Sequence, residues 1–107
     1  MSPGHAGWVF SLVALVRSLS GSQELRALAA RLRENEHVSF GPGQLLMTIP
    51  GLGTVVVTES RTLIEIDLVV ESEDAAARAC AALVRELGMA PVTLAWMRDE
   101  TLSNHRP

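Results

Sequence analysis

TLIEIDLVV, residues 62–70, has the alternating side-chain pattern of a β-strand with one buried face. Four aliphatic side chains share one face of this strand: Ile64, Ile66, Leu68 and Val70. The opposite face is mixed, with Leu63, Glu65, Asp67 and Val69. The pattern predicts that the first face packs on a hydrophobic core. The second face is expected to lie on the other side of the sheet, away from the helices.

Helices are predicted on both sides of this strand in the sequence. Residues 73–87 follow Ser72 as N-cap and end at Gly88, a residue suited to a helix C-terminus. Their inward stripe is Ala76, Cys80, Leu83 and Leu87. Residues 23–34 form the earlier helix, with Ser22 as its predicted N-cap. Its apolar stripe is Leu25, Leu28, Ala29 and Leu32.

Further strands are predicted at residues 44–49, 54–58 and 92–96, the first two joined by a turn rich in Gly and Pro. Residues 37–40 are a candidate short strand. The apolar run at residues 8–16 contains β-branched side chains, so we predict a strand there, with a helix as the alternative.

The predicted order is therefore β-α-β-β-β-α-β. This order indicates an α+β protein, a variant of the split βαβ (ferredoxin-like) sandwich with two helices on one face of an antiparallel sheet. Residues 1–107 are expected to form a single domain, with tails at about residues 1–7 and 99–107.

The composition removes several kinds of chemistry. The chain has no lysine and no tyrosine, one cysteine (Cys80) and one histidine far from both ends (His37). Lysine Schiff-base chemistry and a multi-cysteine metal centre are thereby excluded. Carboxylates, arginines, hydroxyls and His37 remain, and we predict neither a metal nor another cofactor.

Charge and hydropathy bear on the compartment and the partners. The net charge is −3, and no basic patch with interleaved aromatic residues follows the chain, which argues against nucleic-acid binding. No apolar run approaches the length of about 20 residues that a membrane span needs. A single cysteine fits a reducing compartment, so we expect a cytoplasmic protein without membrane attachment.

Glu65 and Asp67 are the best candidates for acid–base chemistry. Residues two apart on a strand lie side by side, and burial of such a pair raises the pKa of one carboxyl group. If the protein were an enzyme, these two residues and His37 would be catalytic, and Arg61 would anchor an anion. The competing interpretation is that the two carboxylates solvate a sheet face.

The face that carries Glu65 and Asp67, hereafter the open face, needs a covering partner. It combines Leu46, Val56 and Val69 with threonines and the two carboxylates, a mixture too apolar for a solvent-exposed face. We therefore predict a homodimer. The expected interface residues are Trp8, Val56, Val69 and Trp96, and the expected ligand-binding residues are Arg61, Glu65, Asp67 and Trp96.

These observations favour a small homodimeric interaction or ligand-binding module without catalytic activity. Its predicted partners are a second copy of the chain and either a small-molecule ligand or another protein. One alternative is a cofactor-free isomerase, cyclase or lyase that acts on a small organic acid. The other is an accessory or immunity-type protein that acts in a hetero-complex.

Overall fold

A computed structural model describes residues 10–19, 21–88 and 91–99, which form an α+β fold with two helices and a six-stranded antiparallel sheet. The elements are β1 (Phe10–Ser18), α1 (Ser22–Leu32), β2 (His37–Gly41), β3 (Gln44–Ile49), β4 (Gly53–Glu59), β5 (Ile64–Val70), α2 (Glu73–Leu87) and β6 (Val92–Asp99). The strand order in the sheet is β2-β3-β4-β5-β1-β6. Neither helix among the described residues has the length and apolar character needed to cross a membrane.

β1 is a strand, as predicted for most of the run at residues 8–16; residues 8 and 9 lie outside the described part of the chain. β1 pairs antiparallel with β5 on one side and with β6 on the other. Residues 11–16 of β1 have a partner on both sides. This position suits its nearly continuous apolar sequence.

The strand count and order differ from the predicted split βαβ (ferredoxin-like) arrangement. Residues 37–41 are a full strand, so four strands, not three, lie between the helices. The four consecutive strands β2 to β5 alternate in direction, and the last of them, β5, runs antiparallel to β1. α2 then connects β5 to β6 across β1, which lies between them.

Both helices pack on one face of the sheet, as predicted. The buried sheet residues come from alternate positions of the strands, including Ala14, Met47, Val57 and Ile66, and form one cluster with the helix stripes. The buried stripe of α1 is the predicted one. In α2 the buried residues are Ala76, Ala79, Ala82, Leu83 and Leu87, whereas Cys80 is half-buried.

The two predicted N-caps have different outcomes. The Ser72 side chain accepts a 3.0 Å hydrogen bond from the Ala75 amide and caps α2, as predicted. α1 instead includes Ser22 as its first residue, and the N-cap is Gly21, which provides no side-chain acceptor. The prediction for Ser22 was wrong by one residue because the sequence offers several small polar residues in succession at this point.

Gly43 closes the β2–β3 hairpin and brings it against the end of β4. Its φ angle is +69°, and a Cβ atom at this position would lie 2.8 Å from the carbonyl oxygen of Glu59. The carbonyl oxygen of Gly43 accepts a 2.7 Å hydrogen bond from the Glu59 amide. Only glycine meets both the conformational and the steric requirement, and the contact fixes the place of Glu59 at the end of the sheet.

Candidate functional site

The open face carries a row of neighbouring side chains that crosses all six strands. The strand register places one residue of each strand in this row, in the order Val38, Leu46, Val56, Asp67, Val13 and Met97. Residues directly opposite each other on neighbouring strands have Cβ atoms about 5 Å apart, so they contact laterally. Five of the six side chains are apolar, and the sixth is a carboxyl group near the middle.

Much of this apolar surface is accessible to solvent. The exposed fractions are 64% for Val38, 43% for Leu46 and 56% for Met97, and Val69 on the same face is 64% exposed. These four make up most of the large exposed hydrophobic residues in the described part of the chain. Their accumulation on a single face distinguishes them from hydrophobic residues scattered singly over a surface.

Asp67 has an unusual environment for a surface carboxylate. Val56 and Val13 are its direct neighbours on the two flanking strands, and Glu65 lies two residues away on the same face. Burial, the hydrogen bond with Glu65 and the negative charge of Glu65 together raise the pKa of Asp67 to about 6, with burial as the largest cause. The pair therefore holds a proton up to about pH 6, well above the usual range of an aspartate.

The predicted face of Glu65 and Asp67 is confirmed by the register. Glu65 lies opposite Leu15 of β1 and Thr58 of β4. Val56 and Val69, two predicted interface residues, lie on the same face as this pair.

Trp96 does not join this face. Trp96 lies opposite Ala14, which is fully buried, so it is on the helix-covered side of the sheet and packs partly buried against the core. Trp8 lies outside the described residues. The sequence alone does not show which face of the sheet a tryptophan occupies, because the face depends on the register of its strand with the neighbouring strands.

His37 is not brought together with the two carboxylates. It lies on β2, opposite Met47, and its Nδ1 atom is 2.8 Å from the carbonyl oxygen of Asn35. β2 and β5 are three strands apart, a lateral distance of about 14 Å. Met47 is buried, which places His37 on the helix-covered side, where it is itself exposed. The three residues of the enzymatic alternative therefore form no common site in this structure.

Arg61 lies apart from Glu65 and Asp67, in the loop between β4 and β5. It lines a cavity of about 380 Å³ together with Arg26 of α1, and neither Glu65 nor Asp67 contributes to this cavity. The apolar lining consists of Leu25, Ala29 and Ile64. We call this cavity the arginine cleft. The sequence does not indicate the role of Arg26, because its position beside Arg61 depends on how α1 crosses the sheet.

Glu59 and Arg33 form an ion pair next to this cleft. The Arg33 Nη2 atom lies 2.5 Å from Oε1 of Glu59, a residue that also lines the cavity. The other carboxylate oxygen, Oε2, is shielded from solvent and has no hydrogen-bond partner among the described residues. The charge of Glu59 is thus balanced by Arg33.

Cys80 is a half-buried free thiol on α2. Burial raises the pKa of the Cys80 thiol, which favours the protonated, unreactive form. Among the residues that the structure describes, no three His, Cys, Asp or Glu side chains are arranged to hold a metal ion.

No protein-family model matches the chain, and no curated protein matches it.

Proposed function

We propose that the protein is a homodimeric interaction module whose two subunits associate through their open faces. The observation that carries this proposal is the cross-strand row of apolar residues, which runs from Val38 on one edge strand to Met97 on the other. Apolar area removed from water contributes about 25 cal/mol per Å², so covering such a face is favourable. No described element of the chain covers it.

A second copy of the chain is a suitable occupant because of the size of the face. Six strands span about 24 Å, and six residues along a strand span about 20 Å, which gives a projected area on the order of 500 Å² per subunit. Two such faces together bury about 1,000 Å², near the lower limit for specific association. The proposed dimer is therefore expected to be weak and to depend on protein concentration.

The carboxyl pair at the centre is compatible with an interface. A protonated Asp67 donates a hydrogen bond to the Glu65 carboxylate, so the pair carries one negative charge instead of two. Removing one charge from water costs much less than removing two adjacent like charges. The raised pKa of Asp67, about 6, supports this interpretation.

The proposal gives the open face a binding role and not a catalytic one. Its carboxyl pair lies far from His37 and outside the arginine cleft, so it lacks the partner groups that acid–base catalysis on a bound organic acid would use. We include a cytoplasmic location in the proposal, supported by the single cysteine of the chain.

The test is the oligomeric state of the double variant Val56→Asp/Val69→Asp. Two additional carboxylates on the open face should abolish association while the subunit stays folded, because neither side chain belongs to the buried core. Light scattering coupled to size-exclusion chromatography, over a range of loading concentrations, measures the mass. Val84→Asp is the matched control, since Val84 is 56% exposed on α2 and away from the open face.

A concentration-dependent dimer that is lost in the double variant and kept in Val84→Asp would support the proposal. A wild-type protein that is monomeric at every concentration would refute it and favour the hetero-complex alternative. A dimer that survives in the double variant would place the interface elsewhere, for instance along the edge of the sheet.

A further inference from the structure

The arginine cleft lies between α1 and the sheet, on the side away from the open face. Its floor is apolar, formed by Leu25 and Ala29 of α1 and by Ile64 at the start of β5. Ser22 and Ser60 add hydroxyl groups at its rim. With a volume of about 380 Å³, the cleft falls within the range of small-molecule sites.

Two arginines line the cleft together with the carboxylate of Glu59, which is paired with Arg33. Arg26 comes from α1 and Arg61 from the loop between β4 and β5, and neither forms an ion pair with a described residue. Arg33, close by, is different because Glu59 neutralises it. In a chain of net charge −3, two cations that converge on one cavity from separate elements form a local positive site.

We propose that the arginine cleft binds a small organic oxyanion, a carboxylate or a phosphate ester, whose short apolar body lies on the Leu25–Ala29–Ile64 floor. The planar guanidinium groups of Arg26 and Arg61 match the geometry of both oxyanions and donate charge-assisted hydrogen bonds to them. The apolar floor disfavours the bare inorganic ion, because only a ligand with carbon atoms removes the apolar surface of the floor from water. This site is separate from the proposed dimer interface and does not require it.

A second cavity extends the cleft along the start of α1. It has a volume of about 290 Å³ and shares Ser22, Leu25 and Arg61 with the first. Arg61 is the charged residue common to both cavities, so it is expected to contribute more to binding than Arg26.

The test uses three probes that separate the two features of the ligand: inorganic phosphate, phenyl phosphate and benzoate. Each is titrated into ¹⁵N-labelled protein at constant ionic strength, and the amide shifts are followed by NMR. Phenyl phosphate and benzoate should shift the amides of residues 22–29 and 59–64, and at least one of them should bind at least tenfold more tightly than inorganic phosphate. Which one binds more tightly identifies the oxyanion that the cleft prefers.

Arginine variants then locate the charge requirement. Arg61→Gln should weaken binding of the preferred probe by at least tenfold, and Arg26→Gln should weaken it by less. Arg78→Gln is the matched control, because Arg78 is an exposed arginine on α2 outside the cleft. All three variants alter exposed side chains, and amide spectra without probe confirm their fold.

Two results would overturn the proposal. One is the absence of shifts at residues 22–29 and 59–64 in the wild-type protein at millimolar probe, whatever the variants do. The other is an equal loss of affinity in Arg61→Gln and Arg78→Gln, which would mean that the probes respond only to the overall charge. Neither result would bear on the open-face dimer.

Discussion

At the scale of the residue, Asp67 is the group whose behaviour departs most from that of an ordinary surface side chain. Its neighbours across the sheet are two valines, and the nearest charged group on its own strand and face is Glu65. The pKa of Asp67 is raised to about 6 from an ordinary value of 3.8. The folded state therefore binds the proton of this residue more tightly than the unfolded state.

This difference sets the pH dependence of stability. Between about pH 4 and pH 6 the folded protein holds a proton that the unfolded chain has released, so the contribution of Asp67 to the free energy of unfolding falls as the pH rises. Asp67→Asn removes this decrease in stability with pH, because asparagine does not ionise. Its side-chain amide can still donate a hydrogen bond to Glu65. We expect the variant to be more stable than wild type at pH 7.5, by on the order of 1 kcal/mol after allowance for solvent screening.

Urea denaturation at pH 4, 5, 6 and 7.5 measures this effect, at a protein concentration where sedimentation finds a single species. The advantage of Asp67→Asn should grow from pH 4 to pH 6 and then stay constant. Glu71→Gln is a control at an exposed carboxylate, where a change within about 0.5 kcal/mol is expected. An Asp67→Asn advantage that does not vary with pH would contradict this account of Asp67.

At the scale of the element, the two helices begin in different ways although serine lies near the start of both. Ser72 caps α2 through its bond to the Ala75 amide, whereas Ser22 is already inside α1. We expect Ser72→Ala to lower the free energy of unfolding by about 1 kcal/mol, the usual effect of losing a cap. Ser22→Ala should change it by less than about 0.5 kcal/mol, since it removes no cap.

Thermal and urea denaturation of the two variants, measured side by side, checks this contrast. The pair is matched because both replace a helix-start serine by alanine. Equal losses of stability in the two variants would show that Ser22 has a capping role after all.

The elements also show how far the sequence alone predicts this fold. Periodicity predicts α1, α2, the strand character of β1 and both faces of β5, because each depends on the spacing of residues close together in the chain. β2 is harder to recognise: its residues are exposed, so it lacks the alternating burial that indicates a strand. Missing this strand from the predicted order led directly to the wrong strand count.

The candidate sites also differ in whether their residues are close together in the sequence. The pairing of Glu65 with Asp67 was predictable because both residues lie on one strand. The arginine cleft was not, because Arg26 and Arg61 are 35 positions apart and meet only through the packing of α1 over the sheet. Trp96 lies on the helix-covered side because of its register with β1, which depends on contacts distant in sequence.

At the scale of the whole molecule, the proposed dimer should respond to pH through the same carboxyl pair. The groups around Asp67 on the open face are Val13 and Leu15 from β1, Val56 and Thr58 from β4, and Glu65 and Val69 from β5. The charged residue on the open face of β1 is Arg17, one position beyond Leu15 on that face. Burial in the proposed dimer would raise the pKa of Asp67 further, so we expect dimerisation to take up protons.

The dissociation constant of the dimer should therefore increase as the pH rises above about 6, because Asp67 of each subunit loses its proton on dissociation. The steepest expected change is about 100-fold per pH unit, since two protons are released per dimer. Sedimentation equilibrium at pH 5.5, 6.5 and 7.5 measures it. The Asp67→Asn dimer should show a much flatter dependence, and Asp74→Asn on α2 should retain the wild-type one.

β1 lies in the interior of the sheet, and both of its partners come later in the chain. β5 begins at Ile64 and β6 at Val92, so a ribosome adds 73 residues after Ser18 before it reaches the first residue of the second partner. At about 5–20 residues per second, this interval lasts about 4–15 s. Throughout it the nascent chain presents an apolar segment that lacks at least one of its two partner strands. The segment is therefore a natural target for a chaperone during synthesis, and loss of β6 would leave β1 as a sheet edge open to aggregation.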